Sequence, residues 1–386
     1  MAAFARAYEP NTLQPYVLEL AKGLLITTVF DREINCRRAA SAAFQEHVGR
    51  QGIFSHGIEI LTAADYFTVG NRMHAYTEIA AFVAQFEEYR ESLISHLITA
   101  KVRHWDKAIR EATAEAFSKL APLDPLHMRD RVLPTLLGHA RAADMNTKHG
   151  SMLAIGSVLR ALSRQSPPVE IGTILLEEID ALIPTLTKAR VFAQFGSDNV
   201  REGACILIRD LSLAKIPLRE ATIKVLQAHI DEHINRKELE LRDSAIAALR
   251  PFVYEYYVMR GSSVSTPDLI SLYMTDMQTG EMNTKRGCPL AIGTLPYAFY
   301  GTNLLGAIQV LREGMEKYVR LSCSFYLSRM LAYNKTLFFR KEEMPRRGKT
   351  APRGCFTSAS QFLRPKGKTL RTCFRVIRLR ASMDRF

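Results

Sequence analysis

The stretch His229-Ile-Asp-Glu232-His233 comes closest to a catalytic centre in this chain. Two imidazoles four residues apart share one face of a helix and can hold Zn²⁺ between them. The carboxylate beside them could act on a metal-bound water, the inverted-zincin arrangement. Such a site still needs a third ligand. Glu238 and Glu240 follow too closely, and no later residue stands out. The expectation is therefore exposed polar residues on a helix. Gly348-Lys349-Thr350 and Gly367-Lys368-Thr369 each end like a phosphate-binding loop, but the glycine required five residues earlier is Glu343 in one and Phe362 in the other. No Ser/His/Asp or Cys/His set has a supporting context. Cys36, Cys205, Cys288, Cys323, Cys355 and Cys373 form no CxxC pair, so a reducing compartment fits better than a disulfide scaffold. The sequence thus predicts no catalytic residue, no cofactor and no metal ligand.

The most telling signal is instead a weak pattern that recurs. A basic residue is followed at +3 by a small residue and at +7 and +10 by larger, mostly apolar ones. Its copies centre on Arg37, Arg72, Arg110, Lys148, Arg201, Arg242 and Lys285. The intervals are 35, 38, 38, 53, 41 and 43 residues, close to the period of HEAT and armadillo repeats. Positions +3, +7 and +10 fall on one helix face, where a small residue lets a neighbouring helix approach. The expected fold is all-α, a HEAT/armadillo-type solenoid over residues 1–315. An acid often stands four residues before the basic one, as Glu33, Asp106 and Glu238 do. Such spacing allows pairing across a helical turn, so the anchors read as a structural ladder. The partner surface is left unknown.

Two copies share more. MNTKHGSMLAIGSVL at 145–159 and MNTKRGCPLAIGTLP at 282–296 place Gly150 and Gly287 two residues after the lysine, where a Cβ would not fit against an adjacent helix. Apolar residues at helical spacing mark the partner helices: Leu93, Ile94, Leu97 and Ile98 in one, Leu182, Ile183 and Leu186 in another. Pro134 stands near a helix start or at a kink. The long interval between Lys148 and Arg201 requires extra loop or longer helices near 160–175. Trp105 reads as a packing residue within its repeat. The N-terminal MAAFARAYEP reads as a helix expecting a preceding partner, so the array is expected to begin inside a longer one.

Charge is unevenly placed. Residues 1–300 carry 33 Lys+Arg against 34 Asp+Glu, and residues 301–386 carry 19 against 5. A neutral array argues against a nucleic-acid stripe along the repeats. The basic region 316–386 reads as a weakly ordered tail of doubtful relation to the array. Gly287–Leu311 is uncharged and long enough to span a bilayer, but its prolines make it helix, turn, helix, with no membrane insertion.

The stretch DREINCRRAASAAFQEHVGRQGIFSHGIEILTAADYFTVGNR, from Asp31 to Arg72, resembles the tubulin-specific chaperone D family, also called tubulin-folding cofactor D. HWDKAIREATAEAFSKLAP at 104–122, DPLHMRDRVLPTLL after it, and the segments 198–213 and 239–252 continue the likeness, which covers roughly residues 1–300. The resemblance implies a long cytoplasmic, cytoskeleton-associated repeat protein of which this chain is a part or a short form. It implies a non-enzymatic chaperone that captures β-tubulin, works with cofactors E and C in αβ-tubulin assembly, associates with an ARF-like small GTPase, and helps stimulate GTP hydrolysis by tubulin. The alternative is a generic HEAT-repeat scaffold with no tubulin activity.

Overall fold

A computed structural model describes residues 7–260, 268–296, 299–300 and 303–317. Among these residues the regular structure is helical throughout, with no strand. The first unit spans residues up to Leu269, together with Thr294–Gly301. Its helices are α1 (Val17–Phe30), α2 (Ile34–Gln51), α3 (Gly57–Ala63), α4 (72–83), α5 (87–101), α6 (Lys107–Leu120), α7 (125–140), α8 (Met145–Ser163), α9 (Thr173–Lys188), α10 (Asp198–Leu213), α11 (Glu220–Ile234) and α12 (239–259).

The recurring basic residue marks where helices begin. Arg37, Arg110, Lys148, Arg201 and Arg242 are each the fourth residue of α2, α6, α8, α10 and α12. The residue four positions earlier is therefore the N-cap, not a partner one turn back. Asp106 accepts from the Ala108 N–H, and Asp144 accepts from the Thr147 N–H, so each carboxylate satisfies a donor the helix leaves open. This corrects the acid–base pair expected from spacing alone, because a capping residue lies outside the helical face. Arg72 is the exception. It opens α4 as the first residue after the Asn71 cap, which places it one turn too early to be an anchor.

The anchored helices form one layer in chain order: α4 packs on α6, α6 on α8, α8 on α10, and α10 on α12. The intervening helices form a second layer, where α7 packs on α9 and α9 on α11. Layers join through α1 on α2, α7 on α8, and α11 on α12. That alternation is the expected solenoid of helix pairs, in which each unit buries its face against the next. The small +3 residues Ala40, Ala75, Thr113, Ser151, Ala204 and Ala245 are all buried, as are the +7 residues Phe44, Ile79, Phe117, Ile155, Ile208 and Leu249.

Proline and length effects also fall where the sequence placed them. A π-helical turn, Met128–Val132, immediately precedes Pro134 in α7. The wider turn accommodates a residue that has no N–H and crowds the carbonyl four residues back. The long interval before Arg201 is taken up by both expected devices, a 19-residue α8 and a connector before Thr173.

The second unit, described by itself, contains most of α13 (Leu269–Thr279) and α14 (Met282–Thr294), and α15 (Leu304–Lys317). Lys285 is the fourth residue of α14, whose Gly287, Cys288, Ala291 and Ile292 are buried. After Gly287 one helix ends at Thr294 and another begins at Leu304, and no helix among the described residues is long and apolar enough to cross a membrane. Both Gly-Lys-Thr triplets, and all of the 316–386 tail beyond Lys317, lie outside the described residues.

Gly150 sits where α8 crosses the end of α5. A Cβ there would lie 1.9 Å from the Val102 carbonyl oxygen, so backbone must move to admit it. Overpacking of this kind costs about 1–3 kcal/mol, more than the ~1 kcal/mol an alanine returns in helix propensity. Gly150→Ala is expected to lower the urea unfolding midpoint, whereas Gly138→Ala, with open space around it, is expected to leave it unchanged or raise it.

Candidate functional site

The anchors are clamps on backbone carbonyls. Arg37 is almost wholly buried. Its Nη1 donates to the Asp31 and Arg32 carbonyls, five and six residues back, at 3.0 Å each. Its Nε donates to Val69 O at 2.8 Å and its Nη2 to Gly70 O at 2.9 Å. One guanidinium thus ties the loop before its own helix to the loop before the next anchored helix. Arg110, also buried, repeats the plan: Nη1 donates to the His104 and Trp105 carbonyls at 2.7 and 2.9 Å and to Asn146 Oδ1 at 3.1 Å. Lys148 reaches the carbonyls of Ala142 and Ala143, again five and six residues back. Arg201 donates from Nε to Phe192 O at 2.6 Å and from Nη1 to Asp198 at 2.7 Å.

Three anchors depart from this plan. Arg72 is half-buried; inside its helix the buried Tyr76 takes over, donating its hydroxyl to Phe30 O at 2.6 Å. Arg242 is half-buried, with its Nε enclosed and without a hydrogen-bond partner. Lys285 is half-buried in the second unit. Arg37, Arg110 and Lys148, being enclosed, are not surfaces for a partner.

What the clamps hold in place is a row of loops at the N-terminal ends of the anchored helices. Arg32 Nε donates to Asp106 at 2.9 Å, and its guanidinium lies 4.8 Å over the Trp105 ring. Lys107 reaches Glu202 and Glu240, both at 2.7 Å, joining the starts of α6, α10 and α12. Large apolar side chains project from these loops: Phe67 is 81% exposed, Trp105 67% and Phe195 106%. Trp105 is therefore a surface residue and not the packing residue the sequence suggested, because the loop carbonyls are what Arg110 binds and the indole is left outside. Asp198, Glu202, Glu238 and Glu240 line a cleft of about 400 Å³ at the starts of α10 and α12. Helix N-termini favour such carboxylates.

The two histidines of the sequence motif take a different place from the exposed one expected. His229 and His233 on α11 are buried, and Cys205 on α10 joins them there. Their ligand atoms all lie within 4.8 Å of one another. Glu232 instead faces outward and pairs with Arg236 at 2.5 Å. With the carboxylate directed away, the hydrolytic arrangement is not formed. Cys205 precedes the histidines by more than a helix, which is why a search for a later ligand misses it.

His149 is a further buried polar group in the ladder. It accepts from Arg110 Nε through Nδ1 at 2.8 Å, so it must be neutral. Burial, and then the neighbouring Arg110 charge, push its pKa down to about 3; burial holds His96 at about 4. A folded-state pKa below the ordinary 6.5 means that only the unfolded chain takes up the proton as pH falls below that value. Stability is therefore full above pH ~6.5 and lost on acidification, by up to about 1.4 kcal/mol per pH unit for each group. Unfolding free energy is expected to fall between pH 6.5 and pH 4, and His149→Asn, which still accepts from Arg110, is expected to flatten that slope. Arg110→Lys is expected to cost about 3 kcal/mol at pH 7.5 in urea unfolding, because an ammonium cannot reproduce the fork and leaves enclosed acceptors unpaired.

Residues 1–58 match the family described as tubulin-specific chaperone D-like, ARM repeats. Over 218 residues, 56% of the chain, the sequence is 35% identical to tubulin-specific chaperone D of Dictyostelium discoideum. Over 172 residues, 45% of the chain, it is 26% identical to tubulin-folding cofactor D of Schizosaccharomyces pombe. The matched part spans 15% of the length of each of these relatives. A solved engineered protein aligns with a TM-score of 0.30 at 11% identity. About half of this chain is thus a stretch of armadillo-type repeats similar to tubulin-specific chaperone D.

Proposed function

We propose that this chain is a protein-binding segment of a tubulin-folding cofactor, and that it engages tubulin through the loop edge at the starts of its anchored helices. The observation that carries the reading is the 35% identity over 218 residues to a tubulin-specific chaperone. The architecture supports it, since a helical array supplies an extended surface with no need for a reaction centre.

Partner contact falls to the projecting side chains, because Arg37, Arg110 and Lys148 are enclosed. Trp105, Phe67 and Phe195 have the character of interface hot spots, large and apolar with little entropy to lose. Arg32 stacked on Trp105 adds a cation suited to an acidic partner. In this reading the client is β-tubulin, held after its release from the chaperonin and passed into the αβ heterodimer. Cofactors E and C, an ARF-like small GTPase and stimulated GTP hydrolysis by tubulin belong to the larger assembly. The segment acts in the cytoplasm and performs no chemistry itself.

The test is retention of purified αβ-tubulin by the immobilised full chain at low and at raised salt. Binding at low salt that weakens as salt rises is expected. Trp105→Ala combined with Phe67→Ser should lower affinity by at least about tenfold, with unfolding midpoints unchanged. No retention by the unaltered chain at low salt would sink the tubulin reading and leave a scaffold for some other protein. Undiminished binding by the double variant would move the contact away from this edge.

A further inference from the structure

The buried trio of Cys205, His229 and His233 is used by nothing described so far. In a solenoid core a polar group must be matched, and an apolar residue would be cheaper at each of these positions. The three donors come from two adjacent helices and lie within 4.8 Å of one another. The histidine spacing of four residues puts both rings on one face of α11, 4.2 Å apart.

The tautomers are already set. His233 Nδ1 lies 2.5 Å from His229 O, a carbonyl that can only accept, so Nδ1 carries the hydrogen and Nε2 holds a lone pair. That Nε2 is fully enclosed and has no hydrogen-bond partner. His229 Nε2 lies 3.4 Å from Arg201 O, which assigns its hydrogen likewise and leaves the lone pair on Nδ1. A backbone carbonyl fixing the far nitrogen of each imidazole is the usual support of a metal-ligating histidine. Cys205 Sγ, fully buried, supplies the third donor.

We infer that Cys205, His229 and His233 bind one d¹⁰ metal ion of borderline-to-soft character, Zn²⁺ or Cu⁺, as a structural centre between α10 and α11. The thiol proton of Cys205 leaves to solvent, an S–metal bond forms, and both imidazoles donate lone pairs. No oxidation state changes. Metal–nitrogen and metal–sulfur bonds of about 2.0 and 2.3 Å place the donors closer together than 4.8 Å, so the three side chains draw in on binding. Two imidazoles and a thiolate select such ions over Mg²⁺ or Ca²⁺, which take oxygen donors. No carboxylate stands ready as a base for hydrolysis, because Glu232 faces solvent and pairs with Arg236.

The experiment uses the full chain, purified reduced and without a histidine tag. It is incubated separately with Zn²⁺, with Cu⁺ and with Mg²⁺, desalted, and analysed for metal by mass spectrometry. About one ion per chain is expected with Zn²⁺ or with Cu⁺, and none with Mg²⁺. The ion retained more tightly in chelator competition identifies the preferred metal. Cys205→Ala and His233→Gln should each weaken binding by more than about 100-fold, beyond what loss of an outer-shell contact causes. Because either variant could fail to fold, a chain keeping Cys205 as its sole cysteine is loaded with Co²⁺. A thiolate-to-cobalt charge-transfer band in that chain supports the site without altering it. Metal well below one equivalent with both ions, no such band, or full binding by folded Cys205→Ala would overturn the proposal.

Discussion

Enclosing a guanidinium is costly unless most of its N–H groups meet acceptors, and this constraint organises the chain. Arg37 and Arg110 are among the largest fully buried side chains, and neither forms a salt bridge with a carboxylate. Their acceptors are mainly carbonyls of irregular loops, groups that would otherwise need water. Each arginine therefore solves two problems together. It finds partners for most of its own donors, with Arg110 Nη2 enclosed and unpartnered, and it fixes a loop whose backbone could not be buried unaided. Since Arg37 reaches the loop before α4 and Arg110 reaches Asn146 and His149, the same bonds set the spacing of successive repeats.

Burial of the anchors decides which residues are left for function. Charges that repeat along a sequence suggest an exposed stripe, yet here the most regular ones face inward. At Arg110, what the array offers outward is the residue at the clamp itself. Arg110 binds the backbone of His104 and Trp105 and leaves the indole projecting. The apolar edge is thus a by-product of the clamping geometry, positioned by rigid helices behind it.

Much of the fold was legible before any coordinates. Helix period, small residues at +3 and bulky ones at +7 gave the anchored layer, because local geometry alone puts these positions on one face. Gly150 was legible for the same reason. Arg72 was misplaced by one turn, because the pattern tolerates slippage and Tyr76 does the anchoring work there. Spacing makes the acids before the anchors ion-pair partners, whereas they stand at N-cap positions, where Asp106 and Asp144 accept from backbone N–H groups. A helix start shifts a residue from the paired face to the terminus, and periodicity does not register that shift.

From the sequence alone came an all-helical array, its repeat length, its neutral charge and its likeness to a tubulin chaperone. These follow from short-range spacing and from non-repetitive identity, both of which survive without coordinates. Only the tertiary structure decided that Arg37, Arg110 and Lys148 are enclosed, that Trp105 is exposed, and that Cys205 meets His229 and His233. Each of those facts depends on which helices lie side by side. Residues on different helices become neighbours through packing, and packing between layers leaves no fixed interval in the chain to read.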